Sequence, residues 1–138
     1  MSTENVELIK GFFSSYEGGD ADAIRELLPR AVRELCDPEI EVVEAPERLD
    51  ARTYHGHEGV FEALGRWMEQ WDEYDVEPES FEDHGNDVLV VAREKARGGR
   101  SGASVSTPIY IIVTVRNGKI LRYRGFYDEA AARTALAD

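Results

Sequence analysis

Two long runs of alternating side chains meet at an Asn-Gly pair in the C-terminal part of the chain. The first run covers Ser104–Arg116 and the second covers Lys119–Tyr127, with Asn117–Gly118 between them. Asn-Gly supplies the two positive-φ residues of a type I′ turn, so the runs are predicted to pair as an antiparallel hairpin. Val88–Arg97 is a third such run, and a helix is expected over Glu129–Ala137.

The first half of the chain is predicted to be mostly helical. Apolar residues recur at helical spacing in three segments, near Phe12, near Leu28 and from Val60 to Trp71. A turn is expected at Asp37-Pro38, followed by a short strand over Glu39–Ala45. A polar loop and a second short extended piece, Thr53–His55, are expected after it. Helices followed by strands indicate a single α+β domain over residues 1–138.

Composition narrows the possible partners and setting of the protein. The net charge of −12 argues against nucleic acid and anionic membranes, because phosphates would be repelled. No apolar stretch is long enough to cross a bilayer, and the N-terminus lacks a signal pattern. With Cys36 as the one cysteine, no internal disulfide is possible, and a cytoplasmic setting is expected.

Glu94 is the one charged residue on an otherwise apolar face of the run Val88–Arg97. Strand alternation places it with Val90, Ala92 and Ala96. A carboxylate on such a face has two interpretations: it transfers protons in a pocket, or it is solvated or paired with an arginine near the end of the sheet.

The run Ser104–Arg116 has two faces of different character. One face carries Tyr110 and Ile112 and is predicted to line a pocket opposite Glu94. The other is wholly apolar, and because one set of helices can cover only one face of a sheet, it is expected to form a homodimer contact. This predicted contact face consists of Ile109, Ile111, Val113 and Val115.

Three motifs occur in the order typical of one protein family. They are Gly18-Gly19-Asp20 at the end of the first helix, the run Tyr54–Val60 at the start of another, and the ending from Asn117–Ile120 through Arg124–Asp128. With them the chain resembles the SnoaL-like proteins of the nuclear transport factor 2-like superfamily. The resemblance implies a cone of three N-terminal helices on a strongly bent, mostly antiparallel sheet, with a short C-terminal helix. It also implies a pocket between helices and sheet, and usually a dimer.

Members of this superfamily include ketosteroid isomerases, epoxide hydrolases, polyketide cyclases and proteins that only bind or scaffold. The isomerase pattern requires a tyrosine where Phe12 stands, a carboxylate where Ala45 stands and a carboxylic acid where Tyr110 stands. The arginine–aspartate pattern of the hydrolases also fails, since Arg93 and Glu94 face opposite ways. The cyclases use one acidic residue, a part that Glu94 could play.

The sequence therefore supports two hypotheses about function. In the first, the protein is a cofactor-independent isomerase, cyclase or lyase acting on a small apolar carbonyl compound. Glu94 then moves the proton, Tyr110 donates a hydrogen bond to the enolate, and His57 is an acid/base partner. In the second, it is a non-catalytic ligand-binding or dimeric scaffold domain. The predicted pocket lining is Phe12, Tyr16, Tyr54, Trp67, Trp71, Ala92, Ile112, Tyr123 and Tyr127.

No metal or organic cofactor is expected. His55, His57 and His84 lack a spacing that would bind a metal ion, and His57 also suits a helix cap. The glycines at 98, 99 and 102 are not followed by a helix, as a phosphate-binding loop would be. The two tryptophans could stack on a flat ligand, but their helical spacing also suits the core.

Overall fold

A computed structural model describes residues 2–14, 21–48, 51–70, 73–98 and 103–137 of the chain. None of the helices in these ranges is both long and apolar enough to cross a bilayer. The elements, in chain order, are α1 (Ser2–Ser14), α2 (Ala21–Leu35), β1 (Cys36–Val43), β2 (Thr53–His55), α3 (Gly56–Gln70), β3 (Glu73–His84), β4 (Asp87–Gly98), β5 (Ala103–Arg116), β6 (Lys119–Phe126) and α4 (Glu129–Ala137).

The strands form one curled six-stranded sheet in the order β2-β1-β6-β5-β4-β3. Every neighbouring pair is antiparallel except β1 and β6, which are parallel. The turn between β5 and β6 has φ values of 53° at Asn117 and 74° at Gly118, so the predicted hairpin and its turn are confirmed. The predicted α+β fold, with three helices before most of the sheet and one after it, is also confirmed.

One face of the sheet, the inner face, packs with α1 and the other N-terminal helices around the main core. The pairing of β4 with β5 determines which side chains lie on the inner face. Ala92 lies opposite Ile109, and Glu94 lies opposite Thr107. Even-numbered residues of β4 therefore share a face with odd-numbered residues of β5. The buried members of this face include Val88, Val90, Ala92, Ile109, Ile111, Val113, Val115 and Ile120.

The prediction that Ile109, Ile111, Val113 and Val115 form an exposed dimer contact is wrong. All four are at most 6% exposed and belong to the core under the chain's own helices. The physical reason is that helices cover the face whose burial removes more apolar surface from water, and this face is wholly apolar.

The opposite, outer face is partly covered by α4. Ala132 packs there against Leu89 and Ile112, all three fully buried. Arg133 of α4 also donates two hydrogen bonds, of 3.1 and 2.9 Å, to the carboxylate of Glu82 on β3. Ile112 therefore lies under α4, and its prediction as a pocket residue is wrong.

One proline position differs from the predicted boundaries. Pro38, expected in a turn, lies within β1, where the register with β6 shifts between Cys36 and Glu41. The interrupted ladder accommodates the missing N–H of proline.

The start of α3 packs very closely against β2. Gly56 has a φ of 76°, which favours glycine. A β-carbon at Gly59 would lie 3.0 Å from the β-carbon of Tyr54 and 3.1 Å from its carbonyl carbon. Glycine is therefore needed at position 59 to let the helix backbone approach Tyr54.

We predict that Gly59→Ala destabilises the protein by about 1–3 kcal/mol, because the added methyl group overpacks a rigid backbone contact. Gly65→Ala is the matched control on the same helix, since its β-carbon would meet nothing within 4 Å. That change should raise the free energy of unfolding by about 0.5–1 kcal/mol. Urea unfolding of both variants is the measurement, and equal effects would contradict the assigned role of Gly59.

Candidate functional site

Glu44 and Glu94 are the two acidic side chains that are almost fully buried among the described residues, with exposures of 6% and 7%. Glu94 lies on β4, on the inner face with Ala92. Glu44 follows β1, where Ile40 and Val42 are also buried and alternate in the same way. Burying a carboxylate is costly unless it is paired and hydrogen-bonded, so each needs partners.

Glu94 accepts hydrogen bonds from an arginine and a tyrosine. The Tyr127 hydroxyl donates to Glu94 Oε1 at 2.6 Å, and Arg48 Nη2 donates to Oε2 at 2.8 Å. The Arg48 guanidinium also lies 5.6 Å from the centre of the Tyr127 ring, within the range of a cation–π contact. These three residues are called the Glu94 cluster below.

Arg48 reaches Glu94 because the segment after β1 folds back on itself. Its backbone N–H donates to the carbonyl of Ala45 at 3.0 Å, which closes a turn. The backbone N–H of Arg52 donates to Glu44 Oε1 at 3.0 Å, and the N–H of Glu44 donates to the Arg52 carbonyl at 3.1 Å. Glu44 therefore fixes the loop that carries Arg48.

Glu44 has its own arginine and tyrosine, from α3 and β2. Arg66 Nη1 lies 3.3 Å from Glu44 Oε1 and also donates a hydrogen bond to the Tyr54 hydroxyl oxygen. The Arg66 and Arg48 side chains are each about a quarter exposed, so both acids lie beneath cations at the protein surface. Glu44, Arg66 and Tyr54 are called the Glu44 cluster.

The Tyr127 phenol remains protonated near neutral pH. Burial raises its pKa above the ordinary value, and the hydrogen bond to Glu94 raises it further. Tyr127 is therefore a permanent hydrogen-bond donor to Glu94.

Tyr110 does not take the position predicted for it opposite Glu94. It pairs with Val91 and Phe126 and lies on the outer face, beside the small core under α4. The two alternating faces of β5 were assigned correctly as sets but to the wrong sides of the sheet. Tyr127 donates to Glu94 instead.

His57 lies away from the Glu94 cluster. Its Nε2 is 2.9 Å from the carbonyl oxygen of Cys36, which fastens the start of α3 to the start of β1. Cys36 pairs with Ile120, seven residues before Tyr127 along the chain. The structure therefore gives His57 a contact at a helix start and does not bring it to Glu94.

The other residues predicted to line the pocket fall into separate groups. Phe12 and Tyr123 pack in the main core with ring centres 6.5 Å apart, and Ala92 is fully buried two residues from Glu94. Tyr54 is in the Glu44 cluster. Tyr16 and Trp71 lie outside the described residues, as does the side chain of Trp67.

Sequence reasoning missed Glu44, Arg48 and Arg66. Glu44 had a usable signal, because Ile40, Val42 and Glu44 repeat the pattern of apolar residues followed by one acid that identified Glu94. The arginines had none, since each contact joins residues 22 or 46 positions apart across different elements.

Groups of three or more His, Cys, Asp or Glu side chains placed as metal ligands are absent among the described residues. A cavity of about 350 Å³ lies near the β5–β6 turn, away from both clusters. It is lined by Glu4, Asn5, Leu8, Asn86, Val115, Asn117 and Gly118.

Comparison with known proteins agrees with this architecture. The sequence model of the SnoaL-like domain matches residues 9–123. A proposed SnoaL-like polyketide cyclase from Jannaschia sp. CCS1 is 22% identical with a TM-score of 0.76, covering 99% of this chain and 93% of that one.

Two further solved structures are similar over nearly their whole length. TerC, crystallised with polyporic acid, is 19% identical with a TM-score of 0.74, covering 98% of this chain and 99% of that one. Bal32a, from a soil-derived mobile gene cassette, is 18% identical with a TM-score of 0.75, covering 98% and 97%. At these identities the similarity shows the fold alone. No curated protein matches the sequence significantly.

Burial of Cys36 generates a prediction about alkaline pH. Burial raises the pKa of the thiol from 9.0 to about 12. The stabilisation this represents is present below pH 9 and is lost as the pH rises towards 12, because the unfolded chain ionises first. Between pH 8 and 10.5 the free energy of unfolding of the wild type should therefore fall by about 2 kcal/mol more than that of Cys36→Ala. Urea unfolding at each pH measures these free energies. Equal decreases in the wild type and in Cys36→Ala would contradict the raised pKa assigned to the buried thiol.

Proposed function

Because the chain belongs to the SnoaL-like domain family, we propose that it binds a small, largely apolar carbonyl compound on the inner face of its sheet. In this proposal Glu94 takes a proton from the carbon next to the carbonyl group and returns it, without a cofactor. The reaction class is that of an isomerase, cyclase or lyase.

The observation that supports this proposal most strongly is the burial of Glu94 with both carboxylate oxygens hydrogen-bonded. A buried ion pair stabilises a fold poorly compared with apolar side chains of similar volume. Ala92 and Ala96, both buried, flank Glu94 on the same face with small side chains. A carboxylate retained at such a position has the character of a reactive group in a low-dielectric site.

The partners of Glu94 suit proton transfer. Arg48 supplies the compensating positive charge, and Tyr127 fixes the orientation of the carboxylate with a hydrogen bond that it cannot lose by ionising near neutral pH.

The surroundings of Glu94 favour an apolar ligand. On the paired strand β5, Ile109 is buried, and Val105, near the start of the strand, is 38% exposed. Both share the inner face with Glu94 through the β4–β5 register. The relative TerC, crystallised with polyporic acid, supports binding of an organic molecule by this fold.

We predict that the wild type catalyses exchange of α-protons for deuterium in a panel of apolar cyclic ketones and 1,3-diketones in D₂O, measured by proton NMR. Glu94→Gln should lower the exchange rate by about a hundredfold or more, as loss of a general base does. Its melting temperature should stay nearly unchanged or rise, because functional groups are often retained at a cost in stability.

The matched control is Glu82→Gln, which alters another acid paired with an arginine, on the opposite side of the sheet. Exchange rates should not change in this variant. Equal exchange by Glu94→Gln and wild type would refute the catalytic role.

The alternative is a non-catalytic ligand-binding or scaffold domain in which Glu94 and Arg48 form a structural ion pair. The 2.8 Å contact between them is the observation that favours it. In that case no member of the panel would exchange, and Glu94→Gln would lower the melting temperature while leaving ligand binding unchanged.

We also propose that the protein is a homodimer, through the outer face rather than the face first predicted. Val91, Tyr110 and Phe126 are only partly buried beside α4. Arg124, on the same face as Tyr110, has a buried Nε with no hydrogen-bond partner among the described residues. A second copy would cover this apolar patch.

Sedimentation at micromolar concentration should give twice the chain mass for the wild type. Val91→Glu should give a monomer, because the charge would be buried in the contact. Val105→Glu places the same charge on the inner face and should leave the dimer intact. A monomeric wild type would refute the proposal.

A further inference from the structure

The Glu44 cluster contains a buried hydroxyl group whose hydrogen is not used within the described part of the protein. Tyr54 is 4% exposed, and its oxygen accepts a hydrogen bond from Arg66. An arginine can only donate, so the phenol hydrogen still needs an acceptor. Among the described residues, the Tyr54 hydroxyl makes no hydrogen bond other than the one from Arg66, although buried polar groups nearly always find partners.

We infer that Tyr54 donates this hydrogen bond to the carbonyl or enolate oxygen of the ligand. This inference rests on the proposed function, and it adds the group that binds the ligand oxygen. It assigns to Tyr54 the role that sequence reasoning gave to Tyr110, which lies on the outer face.

Arg66 makes Tyr54 a suitable donor to an oxygen that gains negative charge. A cation that donates to the phenol oxygen polarises the O–H bond, so the hydrogen bond that Tyr54 donates becomes stronger. The guanidinium also brings a positive charge close to the oxygen of the developing enolate. Glu44, 3.3 Å from Arg66, holds the guanidinium in this position.

Tyr54 is fixed in place before any ligand binds. It pairs with Val42 on one side, and on the other its backbone packs against Gly59 at a separation that excludes a side chain. A donor positioned in advance does not have to reorganise when charge develops on the ligand, which is what electrostatic stabilisation of an enolate requires.

The two clusters are joined by one short segment of the chain. Three residues lie between Glu44 and Arg48, and the hydrogen bond from the Arg48 N–H to the Ala45 carbonyl closes a turn there. The α-carbons of Ala45 and Arg48 therefore lie within about 7 Å of each other. In the inferred complex the ligand contacts both clusters, with its oxygen at Tyr54 and its reacting carbon at Glu94.

The test uses 2-naphthols of graded acidity, whose neutral and ionised forms are distinguished by fluorescence. The wild type should bind the more acidic members more tightly and hold them partly ionised. Tyr54→Phe should weaken binding by roughly tenfold to a hundredfold, as expected for loss of a hydrogen bond to a charged group, and should remove the dependence on acidity.

Tyr110→Phe is the matched control, because it removes a tyrosine hydroxyl from the outer face, and it should bind as the wild type does. Arg66→Gln is a second variant in case Tyr54→Phe does not fold. It should reduce the dependence on acidity, since the polarising cation is lost.

The outcomes separate this inference from the proposed function. If Tyr54→Phe binds the naphthols with the same affinity and the same dependence on acidity as the wild type, only the role of Tyr54 is overturned. Deuterium exchange by the wild type without any naphthol binding would also overturn only the role of Tyr54. Neither exchange nor binding by the wild type would overturn both.

Discussion

The pairing of β4 with β5 is the constraint on which the rest of this structure depends. Residues 87–98 of β4 pair with residues 103–114 of β5, and each even-numbered residue of β4 lies opposite an odd-numbered residue of β5. A shift of one residue would exchange the two faces. It would move Ile109 and Ile111 out of the core and place Tyr110 on the same face as Glu94. Burial of the wholly apolar face under the helices stabilises the observed register, and Glu94 is buried as a result.

Burying Glu94 and Glu44 then requires cations from outside the sheet. The guanidinium groups that contact them come from Arg48 in a loop and from Arg66 in α3. Each arginine keeps about a quarter of its side chain in contact with water, which lowers the cost of desolvating it. Each acid therefore has a cation between it and solvent.

The local parts of the fold could be predicted from the sequence, and the assembly of the site could not. Asn117–Gly118 defined the hairpin, and Thr53–His55 was identified as a strand with its observed bounds. The alternation of side chains along a strand correctly divided the residues of β5 into two sets that lie on opposite faces of the sheet. It could not decide which set faces the helices, because that depends on the register across the β4–β5 connection, a tertiary property. For the same reason Tyr110 was predicted to be the tyrosine opposite Glu94, whereas Tyr127 is the one that donates a hydrogen bond to it.

The segment Glu44–Arg48 couples the two clusters mechanically. Glu44 binds Arg66 and the backbone of the loop, and four residues later Arg48 binds Glu94. Any movement of this turn therefore alters the partners of both acids together. The close contact between Gly59 and Tyr54 fixes the other side of the Glu44 cluster. Gly59 of the run Tyr54–Val60 thus has a physical role in the site, because it lets α3 pack closely against the residue that we infer to bind the ligand oxygen.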